Sequence, residues 1–272
     1  MQNKVDRLYE KGDIIMSLPV ALQLYSVRDD FARDTKGTLE NVKKMGYDGV
    51  EIAGFGDYEP DELKNMLDSI GLRCISAHVP FGDMTANPEK VFSDYKNVGC
   101  DYVSIPWLDL DIAPGGKDFD KTIPQIKRMG ELAKAKGLTL LYHNHDFEFR
   151  KVDGQYGLDI LYNSVPAEYL QTQIDTCWVN VAGENPAEYL RKYAGRAPLV
   201  HLKDFVMTGK TSGALYDLIG EDETDKDDSG DFSFKPVGYG VQDMPAILAA
   251  CKQIGALWVV VEQDTSTERT PM

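Results

Sequence analysis

Apolar positions along this chain follow two alternating rhythms. Short, near-continuous apolar runs are each followed by a longer stretch whose apolar residues recur every three or four positions. The short runs predict strands at VALQLYSV (20–27), GVEIAG (49–54), RCISAHVP (73–80), DYVSIPWL (101–108), LTLLYHNH (138–145), YLQTQIDTC (169–177), APLVHLKDF (197–205) and LWVVVEQD (257–264). The intervening stretches predict helices at TLENVKKMG, PDELKNMLDSIG, NPEKVFSDYKNVG, FDKTIPQIKRMGELAKAKG, LDILYNSV, NPAEYLRKYAG and VQDMPAILAACKQIG. Asn87-Pro88 and Asn185-Pro186 mark helix starts, a polar cap followed by Pro at the first helical position. Gly46, Gly71, Gly99, Gly137 and Gly255 mark helix ends. Eight strands joined by seven crossovers predict an α/β protein with a single (β/α)8 TIM barrel over residues 19–272. No GxGxxG follows the first strand, which argues against a dinucleotide-binding doubly wound sheet.

Three segments depart from the alternation. Residues 1–18 precede the first strand and read as an N-terminal extension, with Met16 as a second plausible start. Residues 206–236 form a long polar excursion after strand seven and include EDETDKDD at 221–228. This is expected to be a solvated loop, and its place on a βα connection also makes it a candidate lid. Only TSTERTPM follows strand eight, so the last outer helix is expected to be short or missing. Either the N-terminal extension or a second subunit in a homo-oligomer would cover that gap.

Charge narrows the class of partner. The chain of 272 residues carries a formal net charge of −15, which argues against nucleic acid and against an anionic membrane. Cys74, Cys100, Cys177 and Cys251 form no CxxC pair and read as reduced core residues. No apolar run is long enough to span a bilayer. The run at 14–27 follows a segment of mixed charge and precedes no cleavage site, so it is not read as a secretory signal. A cytoplasmic location is the expectation.

The chemistry-bearing residues gather at the strand ends. The chain holds four histidines, His78, His143, His145 and His201, and each falls near the C-terminal end of a predicted strand. Asp175, Asp204, Glu262 and Asp264 fall at the same rim, the face that carries the active site in barrels of this type. Alternate residues of a strand share a face, so His143 and His145 point the same way, as do Gln173 and Asp175, His201 and Lys203, and Glu262 and Asp264. Imidazole and carboxylates from separate strands form a mixed nitrogen and oxygen ligand set. It suits one divalent ion, with Mn²⁺ the first expectation and Zn²⁺, Co²⁺ or Mg²⁺ as alternatives. A purely structural ring of salt bridges is the competing reading. It is weakened because crowded carboxylates without a cation repel one another and take up protons.

Several motifs together resemble the xylose isomerase-like TIM barrels, the sugar phosphate isomerase/epimerase superfamily that also holds endonuclease IV. They are LQLYSVRD (22–29), GYDGVEIAG (46–54), YHNHDFEF (142–149), QIDTCWVNVAGENP (173–186), HLKDF (201–205), PVGYGVQD (236–243) and VVVEQD (259–264). The resemblance implies one divalent metal held by Glu, Asp, His and Glu from strands five to eight. Asp175, His201 and Glu262 match the last three. The usual strand-five Glu position is occupied by His143, and two readings follow. In the favoured one, Glu148 folds back as the fourth ligand, leaving His143 and His145 for substrate and proton transfer. In the other, His143 or His145 is itself a ligand, with Glu148 holding it from behind.

The resemblance further implies a sugar isomerase or epimerase that removes a proton next to a carbonyl and passes through an enediolate. Glu262 or His145 would take the proton, and Glu148 or His143 would return it from the opposite side. If the intermediate instead expels a β-leaving group, the same site acts as a lyase or dehydratase on a keto-sugar, a 3-keto-glycoside or an inosose. Glu51, His78, Trp107, Lys203 and Tyr25 are candidates for substrate binding, although a buried structural role competes for Glu51, a salt bridge to Asp204 or Asp175 for Lys203, and core packing for Tyr25 and Trp107. An abasic-site endonuclease would need more histidines and a basic groove. A non-catalytic barrel would leave the clustered ligands unexplained.

Overall fold

Period-two runs flanked by helix signals become strands that close into a ring. The computed structural model describes residues 18–208 and 232–265. Its barrel strands are β1 (Val20–Gln23), β2 (Gly49–Ile52), β3 (Arg73–His78), β4 (Tyr102–Ile105), β5 (Thr139–His143), β6 (Gln171–Asp175), β7 (Leu199–Leu202) and β8 (Trp258–Val261). Each is parallel to its neighbours in chain order, and β1 closes the ring on β8 with Val20 opposite Val259. A bulge between Val50 and Glu51 shifts the β2–β3 register, so that Glu51 stands opposite Ser76.

The crossover helices are α1 (Thr35–Lys44), α2 (Pro60–Ile70), α3 (Pro88–Val98), α4 (Phe119–Ala135), α5 (Gly157–Ser164), α6 (Pro186–Lys192) and α7 (Met244–Ile254). Their caps follow the sequence signals. Asn185 accepts from the Glu188 N–H at 3.1 Å ahead of Pro186, and Gly99 ends α3 at φ 107°. The main core lies between strands and helices and includes Val50, Ile52, Leu63, Phe92, Ile126, Ile174 and Val200. A second, smaller apolar cluster of Ala21, Ile75, Leu141, Leu199 and Val260 fills the floor of the barrel. Two residues further along the same strands, on the same face, come Gln23, His143, His201 and Glu262.

Several boundaries differ from the predicted ones, as where strand one ends at Gln23 and Leu24–Val27 form a 3₁₀ turn. Strand six stops at Asp175 rather than Cys177, because Asp175 Oδ1 accepts the N–H groups of Cys177 (2.8 Å) and Trp178 (3.3 Å) and starts a short helix, Thr176–Val181. Strand seven leaves the barrel after Leu202. Asp204–Met207 then pairs antiparallel with Phe232–Lys235, so both ends of the predicted 206–236 loop form a ribbon. An Asp153-Gly154 turn (φ 49° and 84°) folds Lys151–Val152 onto Gln155–Tyr156, a hairpin that the apolar rhythm does not reveal. Residues 1–17 of the N-terminal extension, residues 209–231 of the candidate lid with its acidic run 221–228, and residues 266–272 after strand eight lie outside the described residues.

Candidate metal centre at the barrel mouth

Strands five to eight bring four side chains to one point. His143 and Asp175 end β5 and β6, His201 is the third residue of β7, and Glu262 directly follows β8. One ligand-type atom from each lies within 4.8 Å of the others. His143 Nε2 is 3.7 Å from Asp175 Oδ2, and His201 Nδ1 is 2.8 Å from Glu262 Oε2. All four residues are buried.

Local structure aims each group. Asp175 commits Oδ1 to the helix cap and turns Oδ2 inward, where it has no hydrogen bond among the described residues. Lys203 Nζ lies 3.3 Å from it but out of hydrogen-bonding alignment. His201 is held at both nitrogens, Nδ1 by Glu262 and Nε2 by Glu51 Oε1 at 2.8 Å. Glu51 is fully buried and is the hub beneath the cluster. Its Oε1 also faces Gln23 Nε2 (2.7 Å) and His78 Nε2 (3.1 Å), and its Oε2 accepts from Gln173 Nε2 (2.6 Å). Lys203, fully buried as well, reaches Glu262 at 3.0 Å and Asp264 at 3.1 Å.

These contacts set the protonation states. Burial opposes charge on His201, but Glu51 and Glu262 outweigh it and lift the imidazole to about 10. Burial would raise Glu262, yet Lys203 and His201 hold it far below the ordinary carboxylate range. Burial raises Asp175 against the pull of Lys203 and His201. It also lifts Asp264 to about 6. Burial, reinforced by neighbouring positive groups, lowers His143 strongly and brings His145 down to about 3, so both are neutral imidazoles. The Nδ1 of each is buried and has no hydrogen-bond partner among the described residues.

The remaining predicted residues fall into distinct places. The structure does not bring Glu148 into the ligand set, and His143 stands there instead. After His145 the chain turns through a short 3₁₀ helix, Phe147–Phe149, which carries Glu148 back to accept from Tyr142 OH (2.8 Å) and from the His145 N–H (2.7 Å). Burial pushes its carboxyl up to about 8 in spite of those bonds. Glu51, read from the sequence either as a substrate-hydroxyl ligand or as a buried structural carboxylate, is engaged by the hub contacts. Asp204 leaves the rim cluster and accepts from the backbone N–H groups of Phe205, Gly238, Gly240 and Gln242, which clamps the PVGYGVQD loop. A Cβ on Gly240 would lie 2.1 Å from Asp204 Oδ1, so only glycine fits there.

His78 also meets Gln173 Oε1 at 2.9 Å. His145 stacks on Phe147 and lies beside Trp178, each centroid 5.5 Å away. Trp107 meets Phe147 edge-on, and Tyr25 lies beneath the Arg28 guanidinium at 4.2 Å. Phe147 also lines a cavity of about 310 Å³ with Leu110, Asp146, Phe149, Arg150 and Ala182, and none of the four candidate ligands is among its lining residues. Two structural partners escape a search for ligand-type residues. Gln23 donates to Glu51, and Asn144 bonds the main chain of Asp175. Gln23 is signalled only as a polar residue inside an apolar run, and Asn144 only by its place between His143 and His145.

The donor set fits a divalent cation. Glu51, Asp175, Glu262 and Asp264 place four carboxylates in one buried volume, against two cations, Lys203 and protonated His201. Uncompensated buried charge is costly, and the inward Asp175 Oδ2 lacks a hydrogen bond. A dication would offset most of the excess, taking the place of the proton that His201 gives up as a ligand. His201 could then offer Nδ1 and donate Nε2–H to Glu51, the carboxylate–imidazole arrangement common behind metal ligands.

Comparison with known proteins places the barrel among others. An inosose dehydratase of Clostridium botulinum (strain Alaska E43 / Type E3) is 34% identical over 187 residues, which covers 61% of this chain and 62% of that protein. The chain spans less than two thirds of the length of the curated relatives it matches. Among solved structures, a sugar phosphate isomerase/epimerase from Parabacteroides distasonis ATCC 8503 superposes with a TM-score of 0.76 at 22% identity, covering 96% of this chain and 91% of that one. The IOLI protein with a bound zinc atom superposes at 0.65 and 16% identity, over 91% and 89% of the two chains. At these identities both structures share the fold. Residues 39–271 match the model of one family from the first crossover helix to the C-terminal segment, and the chain belongs to that family, the xylose isomerase-like TIM barrels.

Proposed function

We propose that this protein is a divalent-metal-dependent sugar isomerase or epimerase that moves a proton at the carbon next to a carbonyl. The observation that carries the reading is the convergence of His143, Asp175, His201 and Glu262 at one buried point, with an unpartnered His145 nitrogen beside them. The proposed ligands are those four residues. When bound, the ion supplies Lewis acidity that polarises the substrate carbonyl and makes the adjacent C–H more acidic.

The chain's own residues do the rest. His145 is neutral, so its free Nδ1 can accept the proton. Glu262 stands on strand eight, three strands round the ring from His145, and supplies a second proton-transfer group on the other side of the mouth. A group on either side is what inversion at one carbon, or transfer to its neighbour, requires. Lys203 carries a positive charge under burial and can hold a substrate hydroxyl or carbonyl oxygen. Glu148 holds the His145 main chain and so fixes where that imidazole sits. Phe147 and Trp178 wall His145 in and keep water from it.

A second reading, a dehydratase acting on a keto-sugar, 3-keto-glycoside or inosose, is favoured by the curated relatives, which are named inosose dehydratases. It needs the same proton abstraction followed by loss of a β-hydroxyl. NMR in D₂O with Mn²⁺ and a panel of keto-sugars, 3-keto-glycosides and inososes separates the two. Deuterium at the α-carbon without elimination supports the isomerase or epimerase, and an unsaturated product supports the dehydratase. Neither exchange nor an unsaturated product with any substrate contradicts both.

A further inference from the structure

The four candidate ligands are not fixed independently. The β5–β6 ladder ends at the pair His143 and Gln173, yet Asp175 lies two residues further on. Its N–H is taken by Asn144 Oδ1 at 3.0 Å, and Asn144 Nδ2 lies 3.4 Å from its carbonyl oxygen. A related clasp stands one strand on, where the β6–β7 ladder still reaches the pair Asp175 and His201. Cys177 N–H has turned back to Asp175 Oδ1, and Thr176 Oγ1 donates to the His201 carbonyl at 2.9 Å. The last link uses the main chain alone, with Glu262 N–H donating to Leu202 O at 3.2 Å. In each case the residue that follows one ligand fastens the main chain of the next. Asn144 and Thr176 are both fully buried, so no water can replace them without rearrangement.

We propose that Asn144 and Thr176 are positioning residues that set the spacing of the metal ligands by fastening the main chain of the next ligand with a side chain, Asn144 beyond the end of the β5–β6 ladder and Thr176 at the last pair of the β6–β7 ladder. This rests on the metal reading above. The physical reason is local. The strand-five end departs into the 3₁₀ turn and the strand-six end into the Thr176–Val181 helix, so backbone donors are diverted at the point where ligand geometry must be held. Ligand position held by packing and hydrogen bonds matters because a metal tolerates only small errors in distance and angle.

The test uses the full-length, metal-stripped protein, Mn²⁺ titration by calorimetry and the visible spectrum of the Co²⁺ form. Thr176→Val keeps the shape and removes the hydroxyl, Thr176→Ser restores it, and Asn144→Ala removes the other clasp. Thr176→Val and Asn144→Ala are expected to weaken Mn²⁺ binding by about 10–100-fold and to shift the Co²⁺ bands, while Thr176→Ser stays near wild type. If Thr176→Val does not fold, Asn144→Ala and Thr176→Ser carry the same comparison. Folded variants that bind Mn²⁺ as tightly as wild type with an unchanged Co²⁺ spectrum overturn the inference, even if they melt earlier. If the unsubstituted protein binds neither ion, the metal reading itself fails and this inference falls with it.

Discussion

At the floor of the barrel, Ala21, Leu141, Leu199 and Val260 fill the interior with apolar atoms. Two residues on, Gln23, His143, His201 and Glu262 fill it with nitrogen and oxygen. The strands, the inward face and the burial are shared, and about 6.6 Å separates one level from the next along a strand. Removal from water stabilises the floor, whereas at the mouth burial opposes the charges, and only mutual bonding keeps them ionised. The comparison teaches that burial alone does not distinguish a core from a site. The difference lies in whether a buried group's bonding capacity is filled by the protein. The floor has none to fill, while the mouth leaves Asp175 Oδ2 and the Nδ1 atoms of His143 and His145 without hydrogen bonds.

The sharpest way to break the comparison is at the junction between the levels. Glu51→Gln removes the anion on which Gln23, Gln173, His78 and His201 converge, and an amide nitrogen would face some of the same donors. A loss of roughly 3–5 kcal/mol in unfolding free energy is expected, together with weakened metal binding, measured by denaturant titration and calorimetry. A neutral outcome would mean that the hub does not tie the levels together.

Leu199→Ala tests the floor alone. It is expected to cost about 3 kcal/mol by leaving a cavity, with Mn²⁺ affinity unchanged in the folded fraction. A parallel fall in affinity would show that the levels are not separable.

The smallest expected effect is a pH dependence. Burial pushes Glu148 up to about 8, so between its ordinary value of 4.5 and about 8 the folded state binds a proton that the unfolded chain has released. Stability contributed by this group is therefore full below 4.5 and declines as pH rises through that window. From pH 5 to 7 the decline is about 2 kcal/mol, and Glu148→Gln is expected to flatten that part of the curve. An unchanged slope in the variant would show that Glu148 is not the group responsible.

Much of the fold is legible in the sequence because each barrel strand is buried on both faces and each crossover helix carries its own caps. All eight runs predicted as strands contain a barrel strand. What the apolar pattern misses is where a strand ends, because side chains decide that. Asp175 stops strand six by capping a helix, and Asp204 draws the chain after strand seven toward the PVGYGVQD loop. The site is legible in part for the same reason. Asp175, His201 and Glu262 sit at or next to strand ends, where parity fixes their direction. Glu148 lies beyond the strand, where period-two reasoning no longer applies, and a 3₁₀ turn carries it away from the ligand set. The hub role of Glu51 is hidden as well, since four partners from four other strands meet it only once the ring is closed.

The most direct test of the proposed centre is calorimetric titration of Mn²⁺ into the metal-stripped protein and its Asp175→Asn variant, paired with melting curves without metal. Asparagine keeps the Oδ1 cap of the Thr176–Val181 helix and removes only the inward charge. The expected result is one ion per chain for the wild type, an affinity loss of more than about 100-fold for the variant, and a metal-free melting temperature equal to or above wild type. Equal Mn²⁺ affinity in the two proteins would contradict the site, as would a variant that loses metal only because it no longer folds.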